Sequence, residues 1–95
     1  SLHRRGAEIA WLVADRLVQH GYTLAEVRAV QAPVRQADVR YFFPEDRDAS
    51  DLISTVVTAT LRAANATAAA AQVRDFTRAP AKPSEGTLEV RVPAE

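Results

Sequence analysis

The sequence contains no cysteine and no methionine, and its 95 residues include only three glycines and one tryptophan. Without cysteine the chain has neither a disulfide framework nor a thiolate zinc site. The glycines, Gly6, Gly21 and Gly86, are too far apart to form a phosphate-cradling loop. No apolar run approaches the ~20 residues that a membrane-spanning helix requires. We therefore expect no membrane span in this chain.

Charge is balanced, with 12 basic and 12 acidic side chains. Because the chain has no net positive charge that would attract a polyanion, we expect no nucleic-acid partner. The composition, 47% hydrophobic and 25% charged, is typical of a globular protein, and a chain of this length has room for one core. Residues 1–95 are therefore predicted to form a single α/β domain. Since the chain starts at Ser1 and lacks methionine, we expect it to be a fragment of a larger protein.

Apolar residues recur at helical spacing in two segments, residues 3–19 and residues 49–64. Polar residues occupy the opposite face of each segment, so two amphipathic helices are predicted. Gly21 is expected to close the first helix in a left-handed conformation, and Asn65 is expected to end the second. The alanine-rich residues 66–72 fit either a continuation of the second helix or a linker, and the sequence leaves both open.

Four segments have the character of β-strands. Residues 39–43 are β-branched and aromatic around one arginine, which predicts a central strand. Residues 87–93 alternate polar and apolar side chains, the pattern of a half-buried strand. Weaker signals predict strands at residues 27–30 and at residues 73–77.

The order helix, strand, strand, helix, strand, strand predicts an α+β fold. Two helices would pack on one face of a mostly antiparallel sheet and leave the other face open. A strand before residue 1 would complete a ferredoxin-like βαββαβ order. We therefore expect a ferredoxin-like arrangement whose first strand is missing from this chain.

The open face of this sheet is the candidate binding surface. Alternation along the strands places Tyr41 and Phe43 toward the helices, and places Arg40, Phe42 and Arg91 on the open face. Phe43→Ala is therefore expected to destabilise the domain more than Phe42→Ala. Arginine beside an aromatic ring can stack on a sugar or a base, whereas the alternative is a solvated face with cross-strand ion pairs. We predict that Arg40, Phe42 and Arg91 contact a ligand.

The sequence shows no catalytic or metal-binding constellation. The two histidines, His3 and His20, lie at opposite ends of the first predicted helix, roughly 25 Å apart at about 1.5 Å per residue. The acidic residues within 45–51 lack the calcium-loop pattern and are better explained by helix capping. We predict no enzymatic activity, no metal and no cofactor.

The Gly21-Tyr22 pair, the Val39-Arg40-Tyr41-Phe42 strand and the helix that opens after Pro44 resemble small bacterial domains of the LytR C-terminal type. The layout is also similar to the SPOR domain. Residues 73–77 and 87–90 would match the closing strands, so the resemblance covers most of the chain. The abundance of arginine and alanine is likewise typical of GC-rich bacterial genomes. This resemblance implies a non-catalytic, extracytoplasmic module of the cell envelope, and SPOR domains bind peptidoglycan glycan on the sheet face.

Two functions are therefore expected as alternatives. The first is a binding module for a cell-envelope glycan that uses the open sheet face. The second is a protein–protein interaction or oligomerisation module, in which either the same open sheet face or the edge with Trp11 and Leu12 pairs with another chain. Trp11 is expected at the rim of the first helix's apolar stripe, and Leu12 is expected among its polar residues. An ordinary exposed leucine and tryptophan would explain the same two residues.

Overall fold

Two helices pack on one face of a four-stranded sheet in the computed structural model, which describes residues 2–23, 27–32 and 34–93. This confirms the α+β class and the single helical layer. Neither helix in the described ranges is long and apolar enough to cross a membrane. The elements, in chain order, are α1 (Leu2–Gln19), β1 (Val27–Ala32), β2 (Asp38–Tyr41), α2 (Arg47–Ala64), β3 (Gln72–Asp75) and β4 (Leu88–Pro93).

The sheet is mixed, with the strand order β1-β4-β2-β3. β1 pairs with β4 in parallel, β2 pairs with β3 in parallel, and only β2 and β4 are antiparallel neighbours. The expectation of a mostly antiparallel sheet is therefore wrong, and the ferredoxin-like strand order is not confirmed. The reason is that α2 returns the chain to the starting end of β2, so β3 runs parallel beside it, and β4 then inserts between β1 and β2.

The first helix ends where the sequence predicts. Gly21 takes a positive φ of 96°, which a residue with a side chain rarely adopts. Its N–H donates to the carbonyl oxygen of Val18 over 3.0 Å, and the N–H of Tyr22 donates to that of Leu17 over 3.0 Å. These two bonds form a Schellman motif, which brings the partly buried Tyr22 against the core.

The alanine-rich segment after α2 is a linker and not a continuation of the helix. Asn65 leaves the helix in an extended conformation, and its Oδ1 accepts hydrogen bonds from the N–H and the hydroxyl of Thr67. Such local side-chain bonds compete with helix formation. The linker is attached to α2 at Ala71, whose N–H donates to Thr58 Oγ1 and whose carbonyl accepts from Ser54 Oγ, each over 2.9 Å.

The hydrophobic core lies between the helices and the sheet. Val39 and Tyr41 of β2 face it, and β4 contributes every second residue, as its alternation predicts. Most residues predicted for this core are buried there; they are Leu17, Val39, Tyr41, Ile53, Val57, Leu88, Val90 and Val92.

Phe43 is the exception, because it is half-buried and is not part of the core. β2 ends at Tyr41, so the alternation that places Phe43 toward the helices stops before reaching it. The carbonyl of Phe43 instead accepts the N–H of Asp46 and starts a 3₁₀ turn. Phe42 is the better-buried ring, only 5% exposed, and it packs edge-on against Phe76 with ring centroids 5.8 Å apart.

Phe42→Ala is therefore expected to destabilise the domain more than Phe43→Ala, the reverse of the sequence-based expectation. Loss of a buried phenylalanine ring typically costs about 3 kcal/mol or more. Loss of the half-buried Phe43 ring is expected to cost about 1 kcal/mol. Urea unfolding midpoints of the two variants measure the difference. Equal midpoints would contradict the burial of Phe42.

Candidate functional site

A buried carboxylate lies on the sheet face opposite the helices. Asp38 is the first residue of β2 and is only 1% exposed. Because Val39 and Tyr41 point into the core, alternation places Asp38 and Arg40 on the open face. A buried charge costs several kcal/mol unless it is paired and hydrogen-bonded, so the surroundings of Asp38 must compensate it.

Arg91 of β4 provides the closest compensation. It is the backbone partner of Asp38 in the antiparallel pair, so both side chains project from the same face. Its Nε–H donates to Oδ1 over 3.1 Å, and its Nη2–H donates to Oδ2 over 2.7 Å. This two-point contact matches the planar fork of a guanidinium to a carboxylate. The hydrogen bond to Asp38 raises the pKa of Arg91 above its ordinary value, so Arg91 stays charged.

Two further guanidinium groups approach the same carboxylate. Arg40 Nε lies 3.5 Å from Oδ1 of Asp38, and Arg74 Nε lies 3.4 Å from Oδ2. These are ion pairs at distances longer than good hydrogen bonds, and the buried Nε of Arg40 has no hydrogen-bond partner. We call Asp38, Arg40, Arg74 and Arg91 the arginine cluster; it joins β3, β2 and β4.

Two phenylalanine rings, those of Phe42 and Phe76, lie beside the arginine cluster. The Arg40 guanidinium carbon lies 4.3 Å from the centroid of the Phe76 ring, within cation–π distance. Phe42 supports Phe76 from the side. Residues 79–83 of the loop before β4 line an open cleft of about 450 Å³ together with these two rings, Arg40 and Glu89.

The structure brings together the three residues predicted to bind a ligand, but in different roles. Arg40 and Arg91 are partly exposed, with 21% and 25% of their side-chain surface accessible. Phe42 is only 5% exposed and packs against Phe76, so it offers little of its own ring to a ligand.

The sequence did not lead us to predict that Asp38 and Phe76 belong to the candidate site, or that Arg74 lies beside Asp38. The spacing Asp38-x-Arg40 was an available signal, because residues two apart in a strand share a face. Arg74 was recognisable as a strand residue, but its position beside Asp38 depends on the parallel pairing of β2 with β3. Strand direction is not encoded in the hydrophobic periodicity of a single strand.

Trp11 and Leu12 lie in the helical layer, away from the arginine cluster. Trp11 is 72% exposed and Leu12 is 38% exposed. Leu12 lines a shallow groove of about 230 Å³ between α1 and α2, together with Arg16 and Val56. The two predicted surfaces therefore lie on separate layers of the fold.

A second polar contact joins the ends of β2 and β3. Burial raises the pKa of Tyr41, and the neighbouring Asp75 raises it further. Hydrogen bonds from the hydroxyl and the N–H of Thr77 lower the pKa of Asp75 below its ordinary value.

Within residues 2–23, 27–32 and 34–93, no group of three histidine, aspartate or glutamate side chains is arranged to hold a metal ion.

Asp38→Asn is expected to destabilise the domain by about 3 to 5 kcal/mol, because it leaves three guanidinium groups without their shared counter-charge. Arg74→Gln is the matched control. Its side chain is about half exposed, so the loss of its ion pair is expected to cost about 0 to 1 kcal/mol. Thermal or urea unfolding measures both effects. An Asp38→Asn variant as stable as the Arg74→Gln variant would show that the arginine cluster does not stabilise the fold.

Comparisons of this chain with known protein families, with curated proteins and with solved structures find no match.

Proposed function

We propose that this chain is a non-catalytic binding module that contacts its ligand through the open sheet face, and that the ligand is a cell-envelope glycan. The supporting observation is that three guanidinium groups converge on one buried carboxylate, on a face that neither described helix covers. Asp38 holds these groups in place, so the face presents preorganised hydrogen-bond donors.

The arrangement favours binding over a purely structural role. A buried ion pair adds little stability compared with a well-packed apolar pair, and one arginine would suffice to compensate Asp38. Arg40 and Arg74 are additional to the two-point contact of Arg91. Guanidinium groups offer several N–H donors in a fixed plane, which suits sugar hydroxyls and carboxylates alike.

The resemblance to SPOR and LytR C-terminal domains adds the class of ligand to this proposal. Relatives of the SPOR type bind glycan on the sheet face, and the open face of this chain carries the arginine cluster. A bacterial, extracytoplasmic location follows as part of the same proposal.

Retention on purified sacculi tests this function. The wild-type chain is expected to co-sediment with sacculi, and Arg74→Ala is expected to weaken retention roughly tenfold, the loss typical of one charge-assisted hydrogen bond. Arg74 is suitable because Arg91 continues to compensate Asp38 when it is removed. Arg16→Ala, which removes an exposed arginine of α1, is the control and should leave retention unchanged. Failure of the wild-type chain to co-sediment would exclude the glycan.

A second candidate function is self-association through the helical layer. The observation that favours it is the exposure of Trp11 and Leu12 on neighbouring positions of α1, beside the groove between the helices. Exposed apolar side chains next to a groove are typical of protein contact surfaces.

Light scattering at high micromolar concentration tests self-association. If the helical layer forms the contact, the mass of the wild-type chain should rise with concentration, and Leu12→Glu should return it to that of a monomer because the glutamate carboxylate would lose water on burial. Leu52→Glu is the matched control, since Leu52 is an exposed leucine of α2 outside the groove. A wild-type chain that remains monomeric would reject this candidate.

A further inference from the structure

One edge of the sheet is open to a further strand. β1 stands at the end of the strand order, and within the described part of the chain it pairs with β4 alone. No strand of that part lies along its outer side. An unpaired strand edge is a template for pairing with another chain, so the other features of this edge decide whether it is used.

β1 lacks the features that usually protect a free edge, which are short length, charge, proline and bulges. β3, the other end strand, has only four residues, and two of them, Arg74 and Asp75, are charged. β1 has six residues in continuous register with β4, so it contains no bulge. Its sequence has no proline, and Arg28 is its only charged residue. Of the two edges, β1 is therefore the one suited to pairing.

Exposed apolar side chains accompany this edge in both layers of the fold. Val30 of β1 is 44% exposed, and it lies on the open sheet face because it is the backbone partner of Arg91. In the helical layer, Trp11 is 72% exposed and Val18 is 47% exposed. These two residues are seven positions apart in α1, so they share one side of the helix.

That side of α1 lies over the outer edge of β1. Arg16 lines the groove against α2, and Val18, about 200° further round the helix at 3.6 residues per turn, lies on the opposite side. α1 packs on β1 and β4, whereas α2 packs on β2 and β3. The side of α1 that is turned away from α2 therefore flanks the free edge. Trp11 and Val18 belong to this edge and not to the groove between the helices.

We propose that two copies of this chain pair antiparallel through β1 and form one continuous sheet, with the two α1 helices side by side above the junction. A two-fold axis normal to the sheet produces this arrangement and keeps both helical layers on the same side. The inference goes beyond the proposed glycan binding, and its contact surface differs from the groove considered for self-association.

The edge is complementary to itself. A pairing of β1 with its copy, centred on Val30, brings the two exposed valines together. It also places position 28, the only charged one, opposite the uncharged position 32. The same axis makes the two α1 helices antiparallel, so Trp11 of one copy can face Val18 of the other. Ala14, a small residue on the same side of α1, lies between these two positions and allows the helices to approach.

The apolar area at the edge favours a second copy over an unrelated strand. An added strand from another protein covers one Trp11 ring, whereas a second copy covers two. Two such rings bury on the order of 300 Å². Specific interfaces begin at about 1,200 Å² in total, and the paired strands, the valines and the flanks of both helices are available for the remainder.

Trp11 fluorescence tests the pairing, because Trp11 is the only tryptophan in the chain. Between low and high micromolar concentration, the emission maximum of the wild-type chain is expected to shift to shorter wavelength as the ring leaves water. The mass from light scattering should rise to that of a dimer over the same range. Constant mass with constant emission overturns the inference.

Two variants separate this edge from the groove between the helices. Val30→Lys should weaken dimer formation at least roughly tenfold, because each copy would bring an unpaired charge to the strand contact. Leu12→Glu is the control and should form dimers as the wild-type chain does, since Leu12 lines the groove. Dimers that are lost in Leu12→Glu and retained in Val30→Lys would assign the contact to the groove and overturn the inference.

Disulfide cross-linking tests the strand register, and the absence of cysteine from the chain removes any background. Val30→Cys should form a covalent dimer under mild oxidation, because directly opposed residues of antiparallel strands have Cα atoms about 4.5 to 5.5 Å apart, within disulfide range. Leu52→Cys, at an exposed position of α2, is the control and should cross-link much more slowly. Equal rates would overturn the pairing through β1. None of these measurements uses sacculi, so a failure of glycan binding leaves this inference unaffected.

Discussion

The compensation of one buried carboxylate is the constraint on which the sheet depends. The sheet consists of two parallel pairs, β1 with β4 and β2 with β3, which meet only where β2 and β4 run antiparallel. Asp38 and Arg91 are backbone partners at this junction, and their side chains form its two-point contact. Arg74 extends the same contact to β3. The side chain of Asp38 thereby links β2, β3 and β4 through ion pairs on the sheet face that neither described helix covers.

The arginines around Asp38 differ in how strongly they bind Asp38 and in how far they are exposed to solvent. Arg91 is committed to Asp38 by two hydrogen bonds, and its loss would leave a buried charge without its closest partner. Arg74 is about half exposed and is the least committed to the fold. Arg40 is intermediate, because it pairs loosely with Asp38 and covers Phe76. The same cluster can therefore stabilise the sheet and still present free donors to a ligand.

The local features of this fold could be predicted from the sequence, because they depend on neighbouring residues. Gly21 ends α1 through its backbone freedom, and the alternation of residues 88–93 defines β4. The order and direction of the strands could not be predicted, since they depend on pairing between distant segments. Asp38 was missed for that reason: its partners Arg74 and Arg91 become neighbours only through this strand order. Phe43 was wrongly predicted to face the helices because β2 ends at Tyr41, two residues before the end of the predicted strand.

The position of β4 has a consequence for how the domain forms. Among the strands that the structure describes, β4 comes last in the chain, yet it lies between β1 and β2, which are not paired with each other in the described residues. Until residues 88–93 leave the ribosome, β1 lacks its only described strand neighbour, and the buried side of β2 lacks Val90. The contacts that close this sheet join segments about sixty residues apart in register, which slows folding relative to local contacts. Completion of the sheet therefore has to wait for the synthesis of β4, and until then the exposed strand edges are open to pairing with other chains.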